Sequence, residues 1–194
     1  MRVITGSAKG RRLQAVPGDA TRPITDRVKE ALFSILGASI EGARFLDLFG
    51  GTGAVGIEAL SRGAARAVFV EMDRAALRTI GHNLQLTGLA ERARVVRGDA
   101  FRFLAQAGEE QFDFVYIAPP QYHGLWSKAL LAVEKSAVLA PAACVIVQIH
   151  PKEYAEVALT RLELTDQRRY GSTLLVFYRL KPAPADLAPA GASC

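Results

Sequence analysis

Asp47-Leu48-Phe49-Gly50-Gly51-Thr52-Gly53 sets an acidic side chain and a run of glycines between an apolar strand pattern and an apolar helix pattern. Glycines at such a turn let the backbone bend tightly and let a ligand approach its amides. Gly51-Thr52-Gly53-Ala54-Val55-Gly56 also spells G-x-G-x-x-G, a match that is weak by itself. Two more acidic residues hold equivalent places. Glu71 closes the next strand pattern about 20 residues later, where a carboxylate accepts from both hydroxyls of a ribose. Asp99, in Arg97-Gly98-Asp99-Ala100, follows the third strand pattern. It can accept from an adenine amino group, cap the following helix, or do both. The plain alternatives are a glycine turn without a ligand and surface carboxylates at strand ends. A nicotinamide dinucleotide and S-adenosylmethionine satisfy these positions alike.

A fourth strand end separates the two cofactors. Ile117-Ala118-Pro119-Pro120-Gln121-Tyr122 follows the apolar run Phe114-Val115-Tyr116. A Pro-Pro pair ends the strand and fixes a rigid extended turn, leaving carbonyls that can face a crevice. Hydride transfer has no use for that ledge; methylation of an exocyclic amino group does. Tyr122, His123 and Trp126 follow at once and can stack on a splayed-out base. Packing of the loop onto the core competes with that role, for Trp126 above all. Phe49 divides evenly between cofactor contact and core.

The elements that must position these residues alternate along the chain. Residues 2–6 and 11–16 read as short strands around a turn, and Thr25 caps a helix over about 26–37. Strand patterns at 44–49, 66–71, 93–97, 112–117 and 143–149 alternate with helix patterns at 54–62, 74–87, 100–106 and 124–138. That alternation predicts βαβ units and a parallel sheet with the acidic positions on its carboxyl rim. A short helix over 151–158 precedes runs 161–166 and 173–180, too close together for a crossover and so an antiparallel hairpin at the sheet edge. The expected organisation is an N-terminal basic appendage over 1–40, a core domain over 41–180 and a disordered Pro/Ala-rich tail over 181–194.

The chain has 194 residues, half of them hydrophobic, which suits one domain burying roughly 70% of its unfolded surface. No apolar run reaches the ~20 residues of a membrane span, and the first residues lack a signal-peptide pattern, so a cytoplasmic protein is expected. Cys144 lies in an apolar run and Cys194 is last; they do not read as a disulfide pair, and no metal-ligand spacing is present. The net charge of +5 is concentrated. Residues 1–30 hold Arg2, Lys9, Arg11, Arg12, Arg22, Arg27 and Lys29 against Asp19, Asp26 and Glu30, giving +4. A basic arm on a near-neutral body fits a polyanionic partner, with a solvated basic surface as the alternative. Arg22 and Arg27 either grip phosphate, shape the cofactor pocket or line a solvated helix start.

Taken together, these motifs resemble the RsmD-type 16S rRNA (guanine-N2) methyltransferases over about residues 1–180. The resemblance is carried by Arg2-Val3-Ile4-Thr5-Gly6, Gly10-Arg11-Arg12-Leu13, and Arg22-Pro23-Ile24-Thr25-Asp26-Arg27-Val28-Lys29-Glu30. It continues through Leu46–Gly53, Gly56–Gly63, Glu71-Met72-Asp73 and the Pro119-Pro120 turn. It implies a Rossmann-like class I methyltransferase fold: a mostly parallel seven-stranded sheet with an antiparallel C-terminal hairpin. It implies S-adenosylmethionine held by Asp47, Gly50, Gly51, Gly53, Glu71, Met72, Asp99 and Ala100, with Phe49 a further candidate beside it. It also implies a guanine amino group of 16S rRNA as acceptor, in a 30S subunit or assembly intermediate, and a bacterial cytoplasmic monomer. Ala118, Pro119, Pro120 and Tyr122 take the catalytic places; Arg2, Lys9, Arg11, Arg12, Arg22, Arg27, Gln121, His123 and Trp126 are candidates for substrate contact.

One departure stands out. The family motif is Asp/Asn-Pro-Pro-Tyr/Phe, in which the first side chain accepts from the target amine and the aromatic residue stacks on the base. Here the first place is Ala118, the fourth is Gln121, and Tyr122 comes one residue later. Main-chain carbonyls of Ala118 and Pro119 can suffice, another polar group such as Gln121 can substitute, or activity is impaired. The rival readings are a methyltransferase acting on another RNA, a small molecule or a protein, a nicotinamide oxidoreductase, and a non-catalytic RNA-binding protein.

Overall fold

The computed structural model describes residues 1–18 and 24–181; Arg22 and the tail from residue 182 lie outside the described residues. Strands β1 (Arg44–Asp47), β2 (Arg66–Glu71), β3 (Ala93–Arg97), β4 (Phe112–Ile117) and β5 (Leu139–Ile149) run parallel. The hairpin β6 (Leu162–Tyr170) and β7 (Thr173–Leu180) joins them antiparallel, giving the order β3-β2-β1-β4-β5-β7-β6. This is the expected mostly parallel seven-stranded sheet. Because both faces are covered, the central strands read as continuous apolar runs. One face packs against α1 (Asp26–Leu36), α2 (Ala54–Ser61) and α3 (Arg74–Thr87) through Phe45, Phe69, Phe114 and Ile146. The other packs against α4 (Ala100–Ala105) and α5 (Leu125–Lys135) through Leu46, Val68, Val115 and Val147. No helix of the described residues is long and apolar enough to cross a membrane.

The capping signals hold. Thr25 accepts from the Val28 amide at 3.3 Å, and Gly37 closes α1. Asp73 and Asp99 cap α3 and α4 in the same way.

Three elements differ from expectation. Residues 2–6 and 11–16 form a curled loop with an isolated Arg2–Arg12 bridge instead of two strands. Gly6 and Gly10 take φ of +88° and +83°, and the Ile4 and Thr5 amides donate to Glu58 instead of a partner strand. The helix over 151–158 shrinks to one turn, Pro151–Glu153, because the Glu153 carbonyl accepts from the Trp126 indole at 3.2 Å and Tyr154 stacks on that ring. Strand β5 begins early, at Leu139, and its register against β4 shifts around Pro141, which has no N–H to give a ladder.

The N-terminal segment is built into the domain. Val3, Ala8 and Leu13 share a core with α1 and α2. Its anchor is Glu58, fully buried on α2, which accepts from the Ile4 amide at 2.8 Å and the Thr5 amide at 3.0 Å. Glu58 also pairs with Lys29 at 3.2 Å and Arg62 at 2.8 Å. Lys29, counted with the basic arm by sequence, is fully buried and donates to the Arg2 carbonyl at 2.5 Å. Its charge faces protein, and burial lowers its pKa against the opposing pull of Glu58.

A buried ion pair that loses one partner leaves a charge without compensation, at about 3–5 kcal/mol. Glu58→Leu is therefore expected to cost that much in urea unfolding of the ligand-free protein. Glu58→Leu with Lys29→Met should recover part of the loss. A double variant no more stable than the single would show that the stranded ammonium is not the cause.

Candidate functional site

The strand order reverses at β1, whose neighbours β2 and β4 lie on opposite sides. The turns that leave β1 and β4 diverge there and open a crevice at the carboxyl rim, where doubly wound sheets bind ligands. Asp47 is the last residue of β1 and Ala118 follows the last residue of β4.

The glycine turn is packed from behind. The Gly50 amide donates to the Val70 carbonyl at 3.1 Å, and a Cβ at Gly50 would come within 2.8 Å of the Ile80 side chain. Gly53 takes φ of +76° at the start of α2, a conformation that excludes most side chains. Glu71 ties this turn to the end of β2. One of its carboxylate oxygens accepts from the Gly51 amide at 2.9 Å, and the other accepts from the Met72 and Asp73 amides at 2.8 and 2.9 Å. Asn83, fully buried on α3, donates to the Thr52 carbonyl at 2.9 Å and the Gln14 carbonyl at 3.1 Å. Glycine turn and N-terminal segment thus share one support.

Asp47 is buried, and its Oδ1 has no hydrogen-bond partner among the described residues. Burial pushes its carboxyl up to about 8; the Glu71 charge adds to this, and the amides of Gly56 and Phe49 oppose it. A sealed carboxyl with a free oxygen is costly unless a ligand cation or donor meets it. Of the other residues expected at the cofactor, Phe49 is half-buried, Met72 exposed, Ala100 buried, and Asp99 exposed while accepting the Arg102 amide at 2.9 Å.

On the far side of the crevice Ala118 is half-buried, Pro119 buried, and Pro120, Gln121, Tyr122 and His123 exposed. Tyr122 takes φ of +64°, rare for a residue with a side chain. Its amide donates to the Glu153 carboxylate at 2.7 Å, and its ring lies 5.8 Å from that of His150. The ring itself stays exposed. Trp126 does not join it. That side chain is buried, donates to the Glu153 carbonyl and stacks on Tyr154, leaving no face for a base. It props the turn from below, so its assignment to substrate contact is corrected.

Lys9, Arg11, Arg12 and Arg27 are exposed on the N-terminal segment and at the head of α1. Arg2 is exposed and pairs with Asp26 at 3.2 Å. Sequence reasoning missed Glu58, Asn83 and the pair Tyr116–Gln148. In that pair the buried Tyr116 hydroxyl donates to Gln148 Oε1 at 2.5 Å. The signals were a single charged residue, Glu58, inside an apolar helix, and Asn83 on the helical face of α3 that buries Ala76 and Ile80.

The family described as Conserved hypothetical protein 95 matches residues 1–179. Ribosomal RNA small subunit methyltransferase D of Escherichia coli (strain K12) is 42% identical over 148 residues, 76% of this chain and 74% of that protein. The chain belongs to the RsmD family. YlbH of Bacillus subtilis (strain 168) is 41% identical over 183 residues, 92% of this chain and 98% of that protein. The solved structure of yhhF from Escherichia coli superposes with a TM-score of 0.83 at 36% identity, over 94% of this chain and 99% of that one. Likeness at that coverage extends the RsmD-family fold through the N-terminal segment, the glycine turn and the C-terminal hairpin.

The raised Asp47 carboxyl has a stability consequence. Its folded-state value, about 8, lies above the ordinary 3.8, so the folded state holds a proton that the unfolded state releases. That contribution is complete below 3.8 and is lost as pH rises toward 8. Asp47→Asn is expected to flatten the fall in ligand-free thermal midpoint between about pH 4 and pH 8. Parallel slopes for the two proteins would show Asp47 to be ionised in the fold.

Proposed function

We propose that this RsmD-family protein methylates the N2 amine of a guanine in 16S rRNA, using S-adenosylmethionine and presenting the base on the Ala118-Pro119-Pro120 turn. The observation that carries the reading is the buried, half-satisfied Asp47 carboxyl at the head of a glycine turn, opposite a proline ledge. S-adenosylmethionine carries an ammonium and a sulfonium, so a sealed carboxylate suits it. The glycine turn suits it as well, because packing of Ile80 behind Gly50 holds the turn in place and its bare backbone lets a ligand come close. Asp47, Gly50, Gly51 and Gly53 hold its amino-acid end, Glu71 its ribose, and Asp99 with Ala100 its adenine. Phe49 and Met72 flank it.

When bound, the cofactor supplies an electrophilic methyl group: an N–C bond forms as the C–S bond breaks, and the bonding pair stays on sulfur. The chain's own task is alignment and exclusion of water. Main-chain carbonyls of the rigid Ala118-Pro119 segment accept from the target amine and aim its lone pair, while Tyr122, with Gln121 and His123 beside it, covers the base. Alignment at about 3–3.5 Å supplies much of the rate without a strong base. The amine nitrogen loses its proton to solvent after transfer.

Lys9, Arg11, Arg12 and Arg27, with Arg2 and Arg22, grip RNA phosphates. The fixed N-terminal segment makes that grip rigid relative to the crevice. The partner is 16S rRNA in a 30S subunit or assembly intermediate, and the enzyme acts as a cytoplasmic monomer.

The deciding experiment is transfer of a labelled methyl group to unmethylated 30S particles and to free 16S rRNA, followed by identification of the modified nucleoside. N2-methylguanosine is expected. Label on a small molecule alone, or none despite cofactor binding, would replace this reading with a different acceptor or an impaired RNA-binding protein.

Glu71→Ala should weaken S-adenosylmethionine binding by about 2 kcal/mol in calorimetry, the worth of a charge-assisted contact. Unchanged affinity would mean that Glu71 serves the glycine turn and not the ribose.

A further inference from the structure

Position 118 offers a methyl group where a side-chain acceptor for the target amine is expected. The register of the sheet shows what stands beside it. Tyr116 pairs with Ile146 and Ile117 with Val147. One further step sets Ala118 beside Gln148, on a neighbouring strand about 4.8 Å away. Side chains alternate along a strand, so Tyr116, Ala118, Ile146 and Gln148 share one face. Tyr116 and Ile146 do belong to the same core, against which Ala118 packs. Asp47 lies on that face too, paired with Tyr116 across β1 and β4. Asp47, Tyr116 and Gln148 therefore form a polar row along the carboxyl rim, beneath the proline turn.

The row is ordered. Tyr116 is buried and donates to Gln148 Oε1 at 2.5 Å. Burial first, and the Asp47 charge second, raise its pKa well above the ordinary tyrosine value, so the hydroxyl keeps the proton it donates. A carbonyl oxygen has two acceptor sites, and Tyr116 fills one of Gln148. Gln148 is itself only partly covered. Gln121, by contrast, is exposed on the turn, and its long side chain must lose its freedom when it binds.

We propose that Gln148 Oε1 accepts an N–H of the target amine in place of the missing side chain at position 118, and that Tyr116 is the positioning residue that holds it. This rests on the amine-methylation reading above. The reaction is unchanged: Gln148 takes no proton, but orients the amine so that its lone pair points at the methyl carbon.

The test uses the full chain, unmethylated 30S particles and four variants. Gln148→Leu should lower kcat about 10- to 100-fold, the loss of one acceptor for a bound N–H. Its affinity for S-adenosylhomocysteine should stay near wild type. Tyr116→Phe should lower kcat less. Ala118→Asp added to Gln148→Leu should restore turnover, which a merely structural glutamine would not allow. The side-chain amide resonances of Gln148 in protein saturated with S-adenosylhomocysteine should shift when guanosine monophosphate is added. Full activity of Gln148→Leu, failure of Ala118→Asp to rescue it, or unmoved resonances would each overturn the proposal while leaving the methylation reading intact. Wild-type protein without any transfer to RNA would instead sink the methylation reading and the proposal with it. Full loss on Gln121→Leu with activity kept in Gln148→Leu would move the acceptor to the turn.

Discussion

Reversal of strand order at β1 governs the rest of the molecule. A right-handed crossover carries the chain from β1 toward β2 on one side, and a later connection returns β4 to the other. Two turns must then part over one point, and no backbone fills the gap between them. Asp47 ends its strand at that point, too deep for water to reach one of its oxygens. Glycine at position 50 follows from the same constraint, since Val70, Ile80 and Phe69 press on the turn from behind. A carboxyl without a full set of partners, beside a turn without side chains, is an unfinished interior that a ligand completes.

The N-terminal segment shows how a polar residue inside an apolar helix organises structure over a distance. Glu58 has Ile57 and Leu60 as close neighbours on α2, and all three are fully buried. Four donors converge on its carboxylate: two amides of the segment, an ammonium and a guanidinium. Asn83 does the same between Gln14 and the glycine turn. Breaking one donor leaves the others short of charge balance, so the contacts act as a unit. The segment carrying Lys9, Arg11 and Arg12 is thereby fixed to the same helices that shape the crevice. A movement of one displaces the other, which suits a protein whose polyanionic partner must arrive in register with a reacting atom.

Much of this was legible in the sequence because local rules and tertiary demands agree there. Strand runs such as Phe69-Val70 and Val145-Ile146-Val147 are apolar on both faces, as buried parallel strands must be, and Thr25, Asp73 and Asp99 cap helices as their types suggest. The glycine turn and Glu71 fell where the βαβ pattern set them. Failure came where long-range contacts overrode local pattern. The Arg2–Gly6 stretch reads as a strand, yet its amides turn to a carboxylate more than fifty residues away. Lys29 counts as surface charge in any composition, yet lies fully buried. Trp126 sits beside exposed aromatics in sequence, but helix α5 turns it inward. Gln148 carried no signal, since its meaning depends on which residue of β4 lies beside it.

That dependence explains how position 118 can hold alanine without leaving the amine unheld. An acceptor has to occupy a region of space at the rim, and neighbouring parallel strands bring their side chains to the same region. Strand β4 can supply it directly, or β5 can supply it one strand over. The second solution needs a longer side chain, because the atom must cross the width of a strand, and it needs something to stop that side chain from wandering. Glutamine gives the length. A tyrosine two residues before the alanine, on the same face and buried, gives the restraint. The neutral amide also avoids a third carboxylate near Asp47, whose carboxyl is already pushed up by burial first and by repulsion from the Glu71 charge second. A negative group at position 118 would add to that repulsion before any cofactor cation arrived, whereas an amide dipole adds none.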